Sequence, residues 1–196
     1  EGDEYDTAWF DKGPKFLHYR PSAVILTSVE FDHADIYRDV EHVKSSFRKL
    51  AGILPSDAPL VGCVDYPHLL SAIDGAGSAR LVPYGMHCAG GWEPRGIQVG
   101  ADGSRFDLHW KGKREASLRL SLAGEMNVLN ATAVYALCRE LGVELGAVAE
   151  GLATLSARPR EGADAAGDKI LIVRGASNLL EDIEAQTDLE RVRTLF

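Results

Sequence analysis

The sequence predicts an α/β fold: a mostly parallel sheet with flanking helices, followed by a small antiparallel β meander. Two observations support this prediction. Short apolar runs alternate with helix-type segments over residues 23–84, which is the rhythm of βαβ units. From residue 96 onward, apolar and polar residues alternate in three stretches separated by turn-forming residues, which is typical of an antiparallel meander.

The first βαβ unit begins with an apolar run at residues 23–29, which predicts a buried strand. An amphipathic helix follows, because apolar residues then recur at spacings of four and three: Ile36, Val40, Val43, Phe47 and Leu50. Asp35 is the expected N-cap of this helix and Gly52 its expected end.

The elements that follow are shorter. We expect a second strand at 60–64, a short helix at 67–73 and a third strand at 79–84, with Gly75 and Gly77 in the turn before it. The meander has turn signals at 101–104 and 111–114. Helices at 127–141 and 145–155, a linker at 158–167, a strand at 169–173 and a charged amphipathic helix at 179–196 complete the prediction.

Composition restricts the function. The formal net charge is −8, and 21 basic residues are scattered among 29 acidic ones, which disfavours a nucleic-acid partner. Three widely spaced cysteines without a Cys-x-x-Cys pair indicate a reducing, cytoplasmic compartment. No apolar stretch approaches the roughly 20 residues that cross a bilayer, so we expect no membrane partner.

Acidic residues and a histidine cluster where the first strand ends. Glu30, Asp32, His33 and Asp35 follow the apolar run, and ligands of parallel sheets collect at this edge. A second acidic cluster begins at Glu1. The two clusters together predict a metal and phosphate site, of which the strand that would carry Glu1 is not part of the sequence.

Three segments together resemble the Mur ligase family. They are EGDEYDTAWFDKGPKFLHYRP at 1–21, VEFDHADIY at 29–37 and GEMNVLNATAVYAL at 124–137. Within the family, they are similar to the murein tripeptide ligases, which join UDP-N-acetylmuramate to L-alanyl-γ-D-glutamyl-meso-diaminopimelate. Residues 10–12 and 18–19 favour that group over the L-alanine ligases. Met126 stands where family members commonly have His.

The resemblance implies an ATP-dependent ligase of peptidoglycan recycling that works through an acyl phosphate. It implies ATP and Mg²⁺ as cofactors, and UDP-N-acetylmuramate and the murein tripeptide as partners. Glu1 would bind one Mg²⁺ and His33 would serve the second metal site beside the acyl oxygens, so both are the expected catalytic and metal residues. Asn127 and Asn130 would lie near the adenine.

The resemblance also implies a domain organisation. Residues 1–157 would be a partial central, ATP-binding domain, 158–167 a linker, and 168–196 a remnant similar to the end of the C-terminal ligase domain. A Gly-Lys-Thr or Gly-Lys-Ser phosphate loop does not occur in the 196 residues, so we expect the chain to be inactive alone. We also expect an uncovered sheet edge that favours self-association.

Structural alternatives stay open for each site residue. Glu1 can be a solvated terminus, and His33 a loop histidine with Asp35 capping the next helix. Asn127 can be a helix N-cap with Asn130 exposed. Alternatives for the whole chain are part of a UDP-N-acetylmuramate–L-alanine ligase, a non-catalytic relic or binding module, or a metal-dependent phosphohydrolase that uses Asp32, His33 and Asp35.

Overall fold

The computed structural model describes residues 13–31, 34–154 and 170–173. These residues fall into two compact units, one up to Val82 together with the strand at 170–173, and one from Pro83 to Thr154. The boundary between them falls within the strand at 80–84. The predicted limits at 157 and 167 fall among residues that are not described and stay predictions.

The first unit contains the predicted parallel βαβαβ arrangement. After a short 3-10 helix at Lys15–His18, its elements are β1 (Ala23–Leu26), α1 (Val40–Ile53), β2 (Pro59–Cys63), α2 (Pro67–Ile73) and the first half of β3 (Arg80–Tyr84). β2 lies parallel to β1, with Val24 opposite Leu60. Gly75 and Gly77 have positive φ angles of 65° and 93°, which confirms the turn predicted before β3.

The predicted strand near residue 170 forms one edge of the sheet. β7 (Ile170–Val173) pairs in parallel with β1, and Ala23 is opposite Ile170. β6 and β7 are the terminal strands of the described sheet, in the order β6-β5-β4-β3-β2-β1-β7. The expectation that an uncovered sheet edge pairs with another chain stays a prediction.

α1 begins later than its apolar pattern predicts. The N-cap is Asp39, whose side chain accepts a hydrogen bond of 2.8 Å from the backbone N–H of His42. The prediction of Asp35 as the cap is therefore wrong, and Ile36 precedes the helix. Gly52 lies inside the helix, which ends at Ile53.

The second unit contains the meander and two helices. Its elements are the end of β3, β4 (Trp92–Gly100), β5 (Gly103–Trp110), β6 (Lys113–Leu120), α3 (Glu125–Glu140) and α4 (Leu145–Thr154). β4, β5 and β6 pair antiparallel, with an irregularity in β4 between Arg95 and Gln98. Helix α3 packs on β4 and β5, and α4 packs on β6. The predicted fold class, a mostly parallel α/β sheet with an antiparallel meander, is confirmed.

An aromatic cluster forms the core of the second unit. Trp92 is 1% exposed, and its ring lies 5.1 Å from that of Trp110 and 5.7 Å from that of Tyr135. The guanidinium of Arg139 lies 5.0 Å from the Trp92 ring centroid, in cation–π geometry. The cluster fixes α3 against the meander. Over the described ranges, no helix is both long and apolar enough to cross a membrane.

Candidate functional site

The carboxyl ends of β1 and β2 form a candidate site in the first unit, here called the strand-end site (residues 27–31 and 64–66). Beyond β1, Ser28 and Val29 are buried, whereas Glu30 and Phe31 are exposed. Beyond β2, Asp65 is exposed and Tyr66 is half-buried. Because β1 and β2 are parallel neighbours, their polar ends emerge at the same edge.

The Tyr66 phenol is influenced by carboxylates that follow both strands. Burial raises the pKa of the Tyr66 phenol above its ordinary value. Three neighbouring groups raise it further, in this order of effect: Cys63, Glu30 and Asp65. A carboxylate beyond β1 and another beyond β2 therefore act on the same phenol. Carboxylate oxygens are the hard ligands that Mg²⁺ prefers, so the chemistry of this edge fits a magnesium ion.

The metal residues predicted from the sequence cannot be placed at this edge. Glu1, Asp32 and His33 lie outside the described residues, so their roles stay predictions. Asp35 is described and takes part in an interaction within the protein. Over residues 13–31, 34–154 and 170–173, no group of three His, Cys, Asp or Glu side chains has the arrangement of a metal site.

The start of α3, in the second unit, is a separate candidate site. Gly124 is the N-cap, with a φ of 115° that favours glycine, and its N–H donates a 3.3 Å hydrogen bond to Ser104 Oγ. The same Ser104 hydroxyl donates a 3.0 Å hydrogen bond to the Leu122 carbonyl. Ser104 is 1% exposed. This buried serine therefore connects β5 to the helix start.

The two asparagines differ in their surroundings. The side-chain amide of Asn127 donates a 2.9 Å hydrogen bond to the carbonyl of Ala123, just before the helix. Asn130 is 5% exposed and makes a polar interaction within the protein. The alternative in which Asn127 is the N-cap and Asn130 is exposed is therefore wrong. Contacts of both residues with adenine stay predictions.

Asn127 fits an adenine contact better than Asn130 does. It lies in the first turn of α3 and is half-buried, so part of its side chain can face a ligand. The neighbouring Met126 is 51% exposed, which leaves an apolar surface at the same turn. A base edge needs amide donors and acceptors, and Asn127 supplies both.

Our reading of the sequence missed Asp65, Tyr66 and Ser104. The signal for the first two is the rule already applied to β1: polar residues that directly follow a buried strand belong to the ligand edge. Ser104 has no comparable signal, because its two hydrogen bonds join segments about twenty residues apart in the sequence.

The sequence pattern of the Mur ligase middle domain matches residues 12–138, which include the strand-end site and the start of α3. The chain belongs to the Mur ligase family. The resemblance inferred from the three sequence segments is therefore confirmed.

Among curated proteins, the chain is 35% identical to the UDP-N-acetylmuramate–L-alanine ligase of Salinibacter ruber over 158 residues, which cover 80% of this chain and 31% of that protein. It is 32% identical to the UDP-N-acetylmuramate–L-alanyl-γ-D-glutamyl-meso-2,6-diaminoheptandioate ligase of Escherichia coli, covering 82% of this chain and 34% of that protein. The chain thus spans about a third of these relatives.

A solved structure supports the same relationship. The UDP-N-acetylmuramate:L-alanyl-γ-D-glutamyl-meso-diaminopimelate ligase of Neisseria meningitidis superposes with a TM-score of 0.72 at 34% identity. The superposition covers 82% of this chain and 48% of that one. The α/β architecture described above is therefore that of a Mur ligase middle domain.

Proposed function

We propose that the chain carries the nucleotide-binding middle part of an ATP-dependent ligase of peptidoglycan recycling. The ligase would join UDP-N-acetylmuramate to the tripeptide L-alanyl-γ-D-glutamyl-meso-diaminopimelate in the cytoplasm. The observation that carries the proposal is the family match, which spans both candidate sites. The tripeptide ligases of Escherichia coli and Neisseria meningitidis are among the relatives and support this choice.

The identity of the added group has a second candidate. Residues 10–12 and 18–19 favour the tripeptide, whereas the 35% identity to the Salinibacter ruber enzyme favours L-alanine. Both reactions use the same muramate carboxylate, so the difference lies in the incoming amine. A comparison of the two amines under the same conditions decides between them.

The residues have separate tasks in this proposal. Glu1 and His33 would hold Mg²⁺, with the carboxylates of the strand-end site nearby. When bound, Mg²⁺ neutralises negative charge on phosphate and acyl oxygens. Asn127, and Asn130 one turn further along α3, would orient the adenine. The half-buried position of Asn127 supports this role, and the burial of Asn130 limits it to a contact inside a closed pocket.

Isothermal titration calorimetry with ATP and Mg²⁺ tests nucleotide binding by the 196-residue chain. We expect binding that weakens by about tenfold in Asn127→Ala, because a bidentate amide contact to a base is worth about 1–3 kcal/mol. Glu150→Gln, exposed on α4, is the control and should bind like the wild type. No heat at millimolar nucleotide would favour the non-catalytic relic or binding module.

Phosphate release tests the reaction. We expect none from the 196-residue chain alone, because the sequence has no Gly-Lys-Thr or Gly-Lys-Ser loop to hold the nucleotide phosphates. The longest reading frame that contains the chain should release phosphate only with UDP-N-acetylmuramate and the tripeptide. Release with L-alanine instead would support the second candidate. Hydrolysis of a generic phosphoester by the chain, abolished in His33→Ala, would favour the phosphohydrolase.

A further inference from the structure

The outer face of the meander carries a row of three polar side chains across its strands, here called the arginine row (Gln98, Arg105 and Arg119). Gln98 of β4 lies directly opposite Arg105 of β5, which lies directly opposite Arg119 of β6. All three residues are exposed. Their neighbours in sequence, Phe106 and Leu118, are buried on the other face, where α3 and α4 pack. The arginine row therefore points away from α3 and its Asn127.

The two arginines place like charges next to each other. Directly opposite residues of an antiparallel pair have Cβ atoms about 4.5–5.5 Å apart, and like charges in such pairs are destabilising. Over the described part of the chain, no ion pair or side-chain hydrogen bond engages either guanidinium. The pair thus concentrates positive charge that the described residues leave uncompensated, in a chain whose net charge is −8.

The other charges of this face are paired among themselves. Arg95 is bound to Glu93 at 2.6 Å, and Arg114 to Asp107 at 3.0 Å. The Ser117 hydroxyl also donates a hydrogen bond to Asp107, and this bond, more than Arg114, lowers the pKa of that carboxyl. The remaining nearby acid is Asp102, in the β4–β5 turn. Among the described arginines of this face, Arg105 and Arg119 are therefore the ones without a paired acid.

A cavity lies on each side of the row. One, of about 280 Å³, is bordered by the turn at 100–103, and the other, of about 340 Å³, extends toward Gly96 and Ser117. Gln98, Arg105 and Arg119 line both. A ligand in either cavity can therefore reach both guanidinium groups and the amide.

We propose that the arginine row binds a phosphate group, such as that of a phosphate monoester or a pyrophosphate. A planar guanidinium donates two parallel hydrogen bonds to phosphate oxygens, and two adjacent ones match a doubly charged group. An extended acidic peptide fits less well, because its same-side carboxylates are about 6.6–6.8 Å apart, and each carries a single charge. Gln98 completes the site with an amide donor.

Isothermal titration calorimetry with sodium pyrophosphate at low ionic strength tests this inference on the 196-residue chain. We expect saturable binding that weakens by about tenfold or more in Arg105→Gln and in Arg119→Gln. Arg119→Lys keeps the positive charge but loses the planar guanidinium that donates two parallel hydrogen bonds, so it should also weaken binding. Arg95→Gln is the matched control: its charge is already paired, so affinity should stay within about twofold of wild type.

Several results would overturn the inference. They are an absence of heat at millimolar pyrophosphate and unchanged binding in both glutamine variants. An equal loss of affinity in Arg95→Gln would also overturn it, because pyrophosphate would then respond only to the overall positive charge of this face. Tighter binding of hexaglutamate than of pyrophosphate would assign the row to an acidic protein segment instead. This test is independent of the proposed ligase function. In a chain that also carries Asn127→Ala, the arginine variants should lose the same fold of pyrophosphate affinity.

Discussion

Gly103, at the start of β5, should be intolerant of any side chain. Its φ is 110°, and a Cβ added there would overlap the carbonyl oxygen of Leu120 and lie 2.8 Å from the carbonyl carbon of Ser121. Both contacts are with backbone, which cannot rotate away as a flexible side chain could. Gly103→Ala therefore requires the ends of β5 and β6 to separate.

The expected cost has two contributions. A residue other than glycine at such a φ is strained by roughly 1–3 kcal/mol. Overpacking against backbone adds about 1–3 kcal/mol. We therefore expect Gly103→Ala to lower the free energy of unfolding by about 2–6 kcal/mol, a large part of the roughly 5–15 kcal/mol that a domain has.

Gly100, at the other end of the same turn, is the matched control. A Cβ there would be 4.0 Å from its nearest neighbour, the Gly103 carbonyl oxygen, so Gly100→Ala should change stability by no more than about 0.5 kcal/mol. Urea denaturation followed by far-UV circular dichroism measures both variants. Equal midpoints for the two would refute the close approach of β5 to β6 at this position.

Gly103→Ala should also disturb the start of α3. Ser104, the next residue, holds the Leu122 carbonyl and the Gly124 N–H at the start of α3. A shift of Gly103 therefore disturbs the helix start that carries Asn127. Amide NMR signals of residues 124–127 should move in Gly103→Ala and stay in place in Gly100→Ala.

Three further predictions concern other parts of the fold. Asp39→Ala should destabilise the chain by about 1 kcal/mol in urea denaturation, whereas Asp39→Asn should cost less because asparagine also caps helices; equal losses would contradict the cap. Trp92→Ala should cost about 3–5 kcal/mol, and Trp92→Phe clearly less, because the buried indole N–H has no described hydrogen-bond partner. Burial raises the pKa of the Cys138 thiol to about 12. Unfolding lowers that pKa toward its ordinary value, so stability should fall as the pH rises from about 9 toward 12, and Cys138→Ala should reduce this fall.

Local sequence signals predicted some elements well and others poorly, for physical reasons. The bounds of α2 are as predicted, because Pro67 can occupy only the first turn and Gly75 follows the end. The predicted start of α1 was one turn too early, because Asp35 and Asp39 are both suitable N-caps and the apolar pattern repeats every turn. The partner of β7 was missed, because an apolar run indicates a buried strand and carries no information about which strand lies beside it.

The strand-end site shows which functional residues can be predicted from the sequence. Position along a strand predicts which polar residues share an edge, and Glu30 was identified in that way. The distance between strand ends depends instead on how the strands pair in the sheet. Burial raises the pKa of Tyr66, and Cys63, Glu30 from one strand and Asp65 from its neighbour raise it further. Parallel pairing of β1 with β2 therefore collects negative charge at one point of the first unit. In the function proposed above, these carboxylates would lie beside the Mg²⁺ held by Glu1 and His33.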